Sequence, residues 1–293
     1  MSRLHEALKK AEQQKTENGS PLDLERPTVI PGDGKGVAVL PPAELPSGAA
    51  ELRVLLMERC SQSLWNPDRK MMLFFDRRNP VVGVEEFRTL RSHLSLIREQ
   101  LPLQSLLVTS PLPSEGKTVV AANLAQVLVQ QREQRVLLVD SDLRYSRMHL
   151  SLGASRSPGL SDYLSGAKDE LAILQRGPLE NLFFIAGGKA ASNPTELIGN
   201  GRLRLLLRRL CPAFDWIIMD SPPVIPVSDA KLLAEYLDGV LIVVQSDATP
   251  HDLARKACQE FASKKIVGVV LNRVKPEYSY GSQYYATTPE TKK

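Results

Sequence analysis

The feature that most constrains this chain is a junction. The apolar, β-favouring run Leu106-Leu107-Val108-Thr109 stops at a Ser/Pro-rich turn, Ser110-Pro111-Leu112-Pro113-Ser114-Glu115, and Gly116-Lys117-Thr118 then opens a helical stretch over residues 119–130. Strand, turn and helix N-terminus in that order make a phosphate-binding loop. Amides and the positive end of the helix dipole face the phosphates, an ammonium reaches the outer ones, and a hydroxyl ligates Mg²⁺. Lys117 and Thr118 take the last two roles. Gly-Lys-Thr alone is a frequent chance match, and the flanking strand and helix give it weight. The general pattern asks for Gly five residues before Gly116, where this chain has Pro111. The turn is thus a specialised one, set by Pro111 and Pro113, whose rings hold φ near −65°.

At 293 residues the chain has room for one α/β domain of about 200 residues with appendages. Its net charge is +4 and its 37 Lys and Arg are dispersed in pairs, which speaks against a nucleic-acid surface. Cys60, Cys211 and Cys258 lie far apart without CxxC spacing, so they read as small apolar residues of a protein in a reducing compartment. No run of about 18 apolar residues is present, and the N-terminus opens on charges rather than an apolar signal core. The expectation is a soluble, cytoplasmic protein with no membrane span, brought to the inner face of the membrane by a partner.

Residues 1–14 place Leu4, Ala7, Leu8 and Ala11 at helical spacing, giving a short amphipathic helix that is marginal alone. Residues 15–70 are rich in Pro, Gly, Glu and Ser and read as a mostly disordered linker with one helix at 49–63. Next, Val84, Phe87, Leu90 and Leu94 form the apolar side of a helix, while Glu85, Arg88 and Arg91, three apart, share the opposite side.

Beyond the phosphate loop, near-continuous apolar runs at 135–139, 182–186, 216–219, 239–245 and 266–271 alternate with helical stretches at 201–210, 228–236 and 250–263. That pattern predicts an α/β fold with a doubly wound, mainly parallel sheet covered on both faces, with ligands at the carboxyl ends of the strands. Acids accumulate at those ends: Asp140 and Asp142 after one strand, Asp220 after another. Beside a phosphate loop such carboxylates are Mg²⁺ ligands or a base. A helix N-cap role accounts for one of them and strains for all three.

These residues together resemble the bacterial tyrosine kinases of capsule and exopolysaccharide biosynthesis, as a soluble kinase subunit of that family with the P-loop NTPase fold. Residues 109–118 look like its Walker A motif, Leu137-Leu138-Val139-Asp140-Ser141-Asp142-Leu143-Arg144 like its A′ motif, and Ile217-Ile218-Met219-Asp220-Ser221-Pro222-Pro223 like its Walker B. Glu85-x-x-Arg88-x-x-Arg91 matches the family's subunit-contact motif, and Asn193-Pro194-Thr195-Glu196-Leu197 a further family stretch. The resemblance runs from about Arg77 to the C-terminus, and it implies a kinase domain at 71–276 and a disordered tyrosine-cluster tail at 277–293. Tyr278, Tyr280, Tyr284 and Tyr285 are four of the chain's seven tyrosines, and the resemblance makes them autophosphorylation sites.

The activity expected is ATP-dependent protein-tyrosine phosphorylation, with ATP and Mg²⁺ as cofactors. The expected nucleotide site is Ser114, Glu115, Gly116, Lys117, Thr118 and Val119, with Asn272 and Arg273 at the nucleoside end. Thr118, Asp142 and Asp220 would hold the metal, and Asp140 would take the tyrosine proton with Lys117 on the phosphates; Asp140 and Asp142 can exchange roles at this level. The resemblance also implies a homo-oligomeric ring when unphosphorylated, contacts through Glu85, Arg88 and Arg91, and an activating membrane co-polymerase. The family usually has Gly where this chain has Ser114, and a positive φ there would cost Ser about 1 kcal/mol. Two other readings stand beside this one. A partition or division-site ATPase would carry a second lysine at position 112, which is Leu here. A nucleotide-binding scaffold without kinase activity would follow from Ser114.

Overall fold

The structure is a computed structural model describing residues 45–275 other than 47, 61, 76–82, 132 and 262–265. The expected N-terminal helix, most of the expected linker and the tyrosine tail lie outside the described residues.

In chain order the elements are α1 (Ala49–Arg59), α2 (Val84–Gln100), β1 (Ser105–Thr109), α3 (Lys117–Leu128), β2 (Val136–Asp140), α4 (Met148–Leu152), α5 (Leu160–Leu164), α6 (Glu170–Ile173), β3 (Leu174–Arg176), β4 (Leu182–Ile185), α7 (Pro194–Gly199), α8 (Arg202–Leu210), β5 (Trp216–Asp220), α9 (Asp229–Ala234), β6 (Gly239–Gln245), α10 (His251–Gln259) and β7 (Ile266–Asn272). The strands form one sheet in the order β3-β4-β2-β5-β1-β6-β7. Every pairing is parallel except that of β3 with β4. β1, β2 and β5 are buried at every position. This is why their sequences are apolar runs rather than alternations: both faces meet helices.

Alternate residues of these strands feed two cores. Leu107, Leu137, Ile217 and Ile242 pack with α1, α5, α8 and α9. Leu106, Val108, Leu138, Ile218 and Leu241 pack under α3, with Leu94 of α2 beside them. α3 buries nine of its twelve residues, including Asn123 and Gln126, so it is the central helix of its face.

Three features differ from the sequence expectations. α2 continues to Gln100 rather than ending near 94, because Ile97 still reaches the core. β3 was not anticipated: three residues carry too little periodicity to register. The third is a correction to the linker, which was expected to run to residue 70: residues 48–60 and 62–70 belong to the folded unit together with 71–75, which were expected in the kinase domain. Leu52 and Leu56 of α1 are in one core, and Trp65, Met72 and Phe74 in the other. Trp65 stands edge-on to Phe184 of β4 at 5.8 Å. Asn123 Nδ2 donates to Met71 O at 2.7 Å and its Oδ1 accepts from Leu73 N at 2.8 Å, while Gln126 Oε1 accepts from Phe74 N at 3.3 Å. This strap is held by a few well-spaced aromatic anchors and by two buried amides 50 residues away, so no local pattern announces it.

Candidate active site

The phosphate loop joins β1 to α3, with Gly116 at the N-cap at φ 95°. A Cβ there would collide with the side-chain amide of Asn272, so only glycine fits both the angle and the space. Ser114 has φ 65°. The positive angle that its place in the motif foreshadowed is therefore present, in a residue that adopts it at a cost of roughly 1–2 kcal/mol. Glu115 is buried and turned back into the loop. Its Oε2 accepts from Leu112 N at 2.7 Å, its Oε1 accepts from the Thr249 hydroxyl, and its carbonyl accepts from Asn272 Nδ2 at 2.8 Å. The loop is thereby fastened to the ends of β6 and β7 before any nucleotide arrives.

The three acids and the lysine converge. Asp140 and Asp220 are register partners at the carboxyl ends of β2 and β5. Lys117 Nζ lies 3.3 Å from Asp142 Oδ2, and the Thr118 hydroxyl donates to Asp220 Oδ2 at 2.7 Å. Asp140 is fully buried, and its Oδ2 accepts from Ser146 Oγ at 2.7 Å and from Met148 N at 3.2 Å. Its Oδ1 accepts from Asp142 N at 3.3 Å, and Asp142 Oδ1 accepts from Tyr145 N at 3.0 Å.

Burial pushes Asp140 up to about 6, with Asp142 adding to the rise and the Ser146, Met148 and Asp142 hydrogen bonds opposing it. Burial also pushes Asp220 up to about 7, against the pull of Lys117 and the Thr118 hydroxyl. Burial pulls Lys117 down, but Asp220, Asp142 and Asp140 outweigh it, and the ammonium titrates above its ordinary range. Among the described residues the site gathers three carboxyl groups around the Lys117 ammonium.

Asp220 Oδ1 is buried without a hydrogen-bond partner. An orphaned carboxylate oxygen beside the Thr118 hydroxyl is the kind of oxygen donor that a hard dication such as Mg²⁺ takes, although among the described residues no three acids gather into a ready-made metal cluster. Of the expected nucleoside contacts, Asn272 is spent on the loop, and Arg273, at φ 58°, donates from Nη1 to Gln245 Oε1 at 2.9 Å.

The proposed subunit-contact trio divides. Glu85 and Arg88 pair with each other on the surface, whereas Arg91 Nη1 donates to Val127 O near the end of α3 at 3.1 Å. Reading the sequence also missed a clamp built on the buried Asp229. Arg144 Nε and Nη2 donate to Asp229 Oδ2 and Oδ1 at 2.7 and 3.1 Å, and Thr195 Oγ1 donates to Asp229 Oδ1 at 2.6 Å. The A′ segment is thereby tied to the 193–197 stretch. The only sequence signal for this was that both segments carry family motifs.

Comparison with known proteins agrees with this geometry. Residues 106–290 match the family described as the CobQ/CobB/MinD/ParA nucleotide binding domain. The chain is 32% identical over 207 residues to the tyrosine-protein kinase YwqD of Bacillus subtilis, covering 69% of this chain and 86% of that protein. It is 34% identical over 207 residues to the putative tyrosine-protein kinase EpsB of Ralstonia nicotianae, but spans only 27% of that longer protein. Among solved structures, the kinase domain of the Escherichia coli tyrosine kinase ETK superposes with a TM-score of 0.66 at 31% identity, covering 71% of this chain and 83% of that one. With its Walker motifs, their acids and the lysine assembled at one end of this sheet, the chain belongs to the bacterial tyrosine-protein kinases, built on the CobQ/CobB/MinD/ParA nucleotide-binding domain.

Proposed function

We propose that the chain transfers the γ-phosphoryl group of ATP to Tyr278, Tyr280, Tyr284 and Tyr285 of a neighbouring copy, in the control of exopolysaccharide or capsule synthesis and export. The observation that carries the chemistry is the convergence of Asp140, Asp142 and Asp220 on Lys117 and Thr118, with a buried carboxylate oxygen left unpartnered. Phosphoryl transfer asks for positioning and charge neutralisation more than for covalent catalysis. Lys117 holds the outer phosphates, and amides of residues 114–119 cradle them. Thr118, Asp142 and Asp220 would hold Mg²⁺, which would supply charge neutralisation at the phosphates when bound. The tyrosine oxygen attacks the γ-phosphorus, the bond to the β,γ-bridging oxygen breaks, ADP leaves, and the phenol proton passes to Asp140. A tyrosine with an ordinary pKa near 10 needs such an acceptor, and a carboxyl raised to about 6 is poised for it.

The tail reaches a neighbour because the 13 residues from Asn272 to Tyr285 span at most about 45 Å extended. Glu85, Arg88 and Arg91 dock that neighbour. Each phosphate adds about −1.5 to −2 charges, which an acidic site repels, so the modified tail leaves and the ring opens. No helix among the described residues is long and apolar enough to cross a membrane, and the cytoplasmic segment of a membrane co-polymerase recruits and activates the chain at the inner face of the membrane.

The test uses purified full chains with ATP and Mg²⁺. A Lys117→Ala chain with intact tyrosines is mixed with an active chain whose four tail tyrosines are Phe. Phosphotyrosine on the inactive chain is the expected result, and Lys117→Ala alone should produce none. ATP hydrolysis without phosphotyrosine in any arm would place the chain with the partition-type ATPases instead.

A further inference from the structure

Of the nine large apolar side chains exposed among the described residues, four gather on two adjoining segments: Tyr145 (74% exposed) and Leu150 (66%) on 143–153, Leu64 (102%) and Met71 (43%) on the strap. The segments are joined. Asp68 N donates to Ser151 O at 2.9 Å, Asn66 N to Gly153 O at 3.3 Å, and Ser151 Oγ lies 3.7 Å from Met71 Sδ. The same 143–153 segment is anchored on the proposed base, since Ser146 Oγ and Met148 N both donate to Asp140 Oδ2. Four exposed apolar side chains therefore lie on two joined segments beside the turn that holds Asp140, with the exposed Arg144, Arg147, Arg69 and Lys70 among them. Isolated exposed apolar residues call for no explanation, whereas several on joined segments beside a catalytic group mark an interaction surface.

We infer that this strip, Tyr145–Leu150–Met71 with Leu64 beyond, is the docking surface for the acceptor tyrosine segment of a second copy. The inference rests on the kinase reading above and adds to it the surface that selects the substrate. The chemistry of the tail argues for this occupant: residues 278–289 carry no charged side chain and include four tyrosines. Such a segment gains affinity from burying aromatic rings on apolar side chains and nothing from ion pairs. The strip's place beside Asp140 gives the register, because a segment lying along it presents one tyrosine at the base while others cover Leu150 and Met71.

The test is trans-phosphorylation of the full-length Lys117→Ala chain, titrated as acceptor against an active full chain carrying Phe at the four tail positions. In that active chain, Leu150→Glu and Met71→Glu, at exposed sites, should each raise the KM for acceptor about tenfold or more without changing the KM for ATP. Leu150→Met should restore it, and Val54→Glu, at an exposed apolar site on α1, should change nothing. If the parent enzyme phosphorylates no acceptor, the kinase reading itself fails. If it does and the two Glu variants keep the parent KM, the strip is not the acceptor surface. The docking inference is equally overturned if those variants lose only activation by a co-polymerase peptide, or gain activity as though residues 1–44 had been covering the strip.

Discussion

Asn123 offers a sharp test of how the strap is held. In Asn123→Ala two backbone groups lose their partners, Met71 O at 2.7 Å and Leu73 N at 2.8 Å, along with a bond to Val119 O within α3 at 2.9 Å. The α3 carbonyl keeps its place in the helix, so the cost lies with the two strap groups. A buried polar group left unmade costs about 1–3 kcal/mol. Two of them, with the Ala preference for helix returning a few tenths, put the loss on the order of 3 kcal/mol. The strap is a local unit, so the loss should appear as local opening before it appears as global unfolding. Native-state hydrogen exchange is the assay, and 3 kcal/mol corresponds to roughly a hundredfold faster exchange at the Leu73 and Phe74 amides, with β1 and β5 little changed. A rise of less than about fivefold at Leu73, or equal acceleration in the strands, would refute the claim that this side chain pins the strap.

Further outcomes follow from the site. Asp140 and Asp220 sit at about 6 and about 7 against an ordinary 3.8, so between pH 4 and 7 the folded state holds more protons than the unfolded one. Stability without Mg²⁺ or nucleotide should therefore fall as pH rises through that window and level off above it, by a few kcal/mol in all; thermal melts at pH 5 and pH 8 that coincide would contradict this. Ser114→Gly relieves about 1–2 kcal/mol of backbone strain but loosens the unfolded chain by about 0.4–1, so urea titration should show a gain between zero and roughly 1.5 kcal/mol, and a clear loss would count against the strain. Arg91→Ala should cost about 1 kcal/mol of stability through Val127 O, whereas Arg88→Ala should cost almost none because its pair with Glu85 is exposed. Light scattering on both should show smaller oligomers, and unchanged size in the double variant would remove Glu85, Arg88 and Arg91 from the subunit contact.

Much of the molecule was legible because function and pattern coincide. β1, the loop and α3 were readable because Gly116-Lys117-Thr118 sits where a continuous apolar run gives way to a turn and a helix. Asp140, Asp142 and Asp220 were readable because each follows an apolar run that the sheet then buries on both faces. The strap was not, because Trp65, Met72 and Phe74 enter the core at irregular spacing and the backbone of residues 71, 73 and 74 is held by side chains on α3, some 50 residues away. Nor was the Thr249 contact with Glu115, since a threonine between a strand and a helix carries no signal of what it will touch. For Asn272 the place was foreseen and the partner was not: the amide goes first to the loop backbone.

The sheet order has a consequence for how this enzyme can change. β1 lies in the interior of the sheet, with β5 and then β2 on one side and β6 and then β7 on the other. The carboxylates all arrive from the first side, whereas Thr249 and Asn272, which steady the loop, follow or end strands of the second. The flanks share β1 and a common core, but at the loop their tasks divide: one side supplies the carboxylates and the other the side chains that hold the loop in place. A substitution at Thr249 or Asn272 should therefore alter how firmly the loop is preset while leaving the Asp140–Asp220 register as it is.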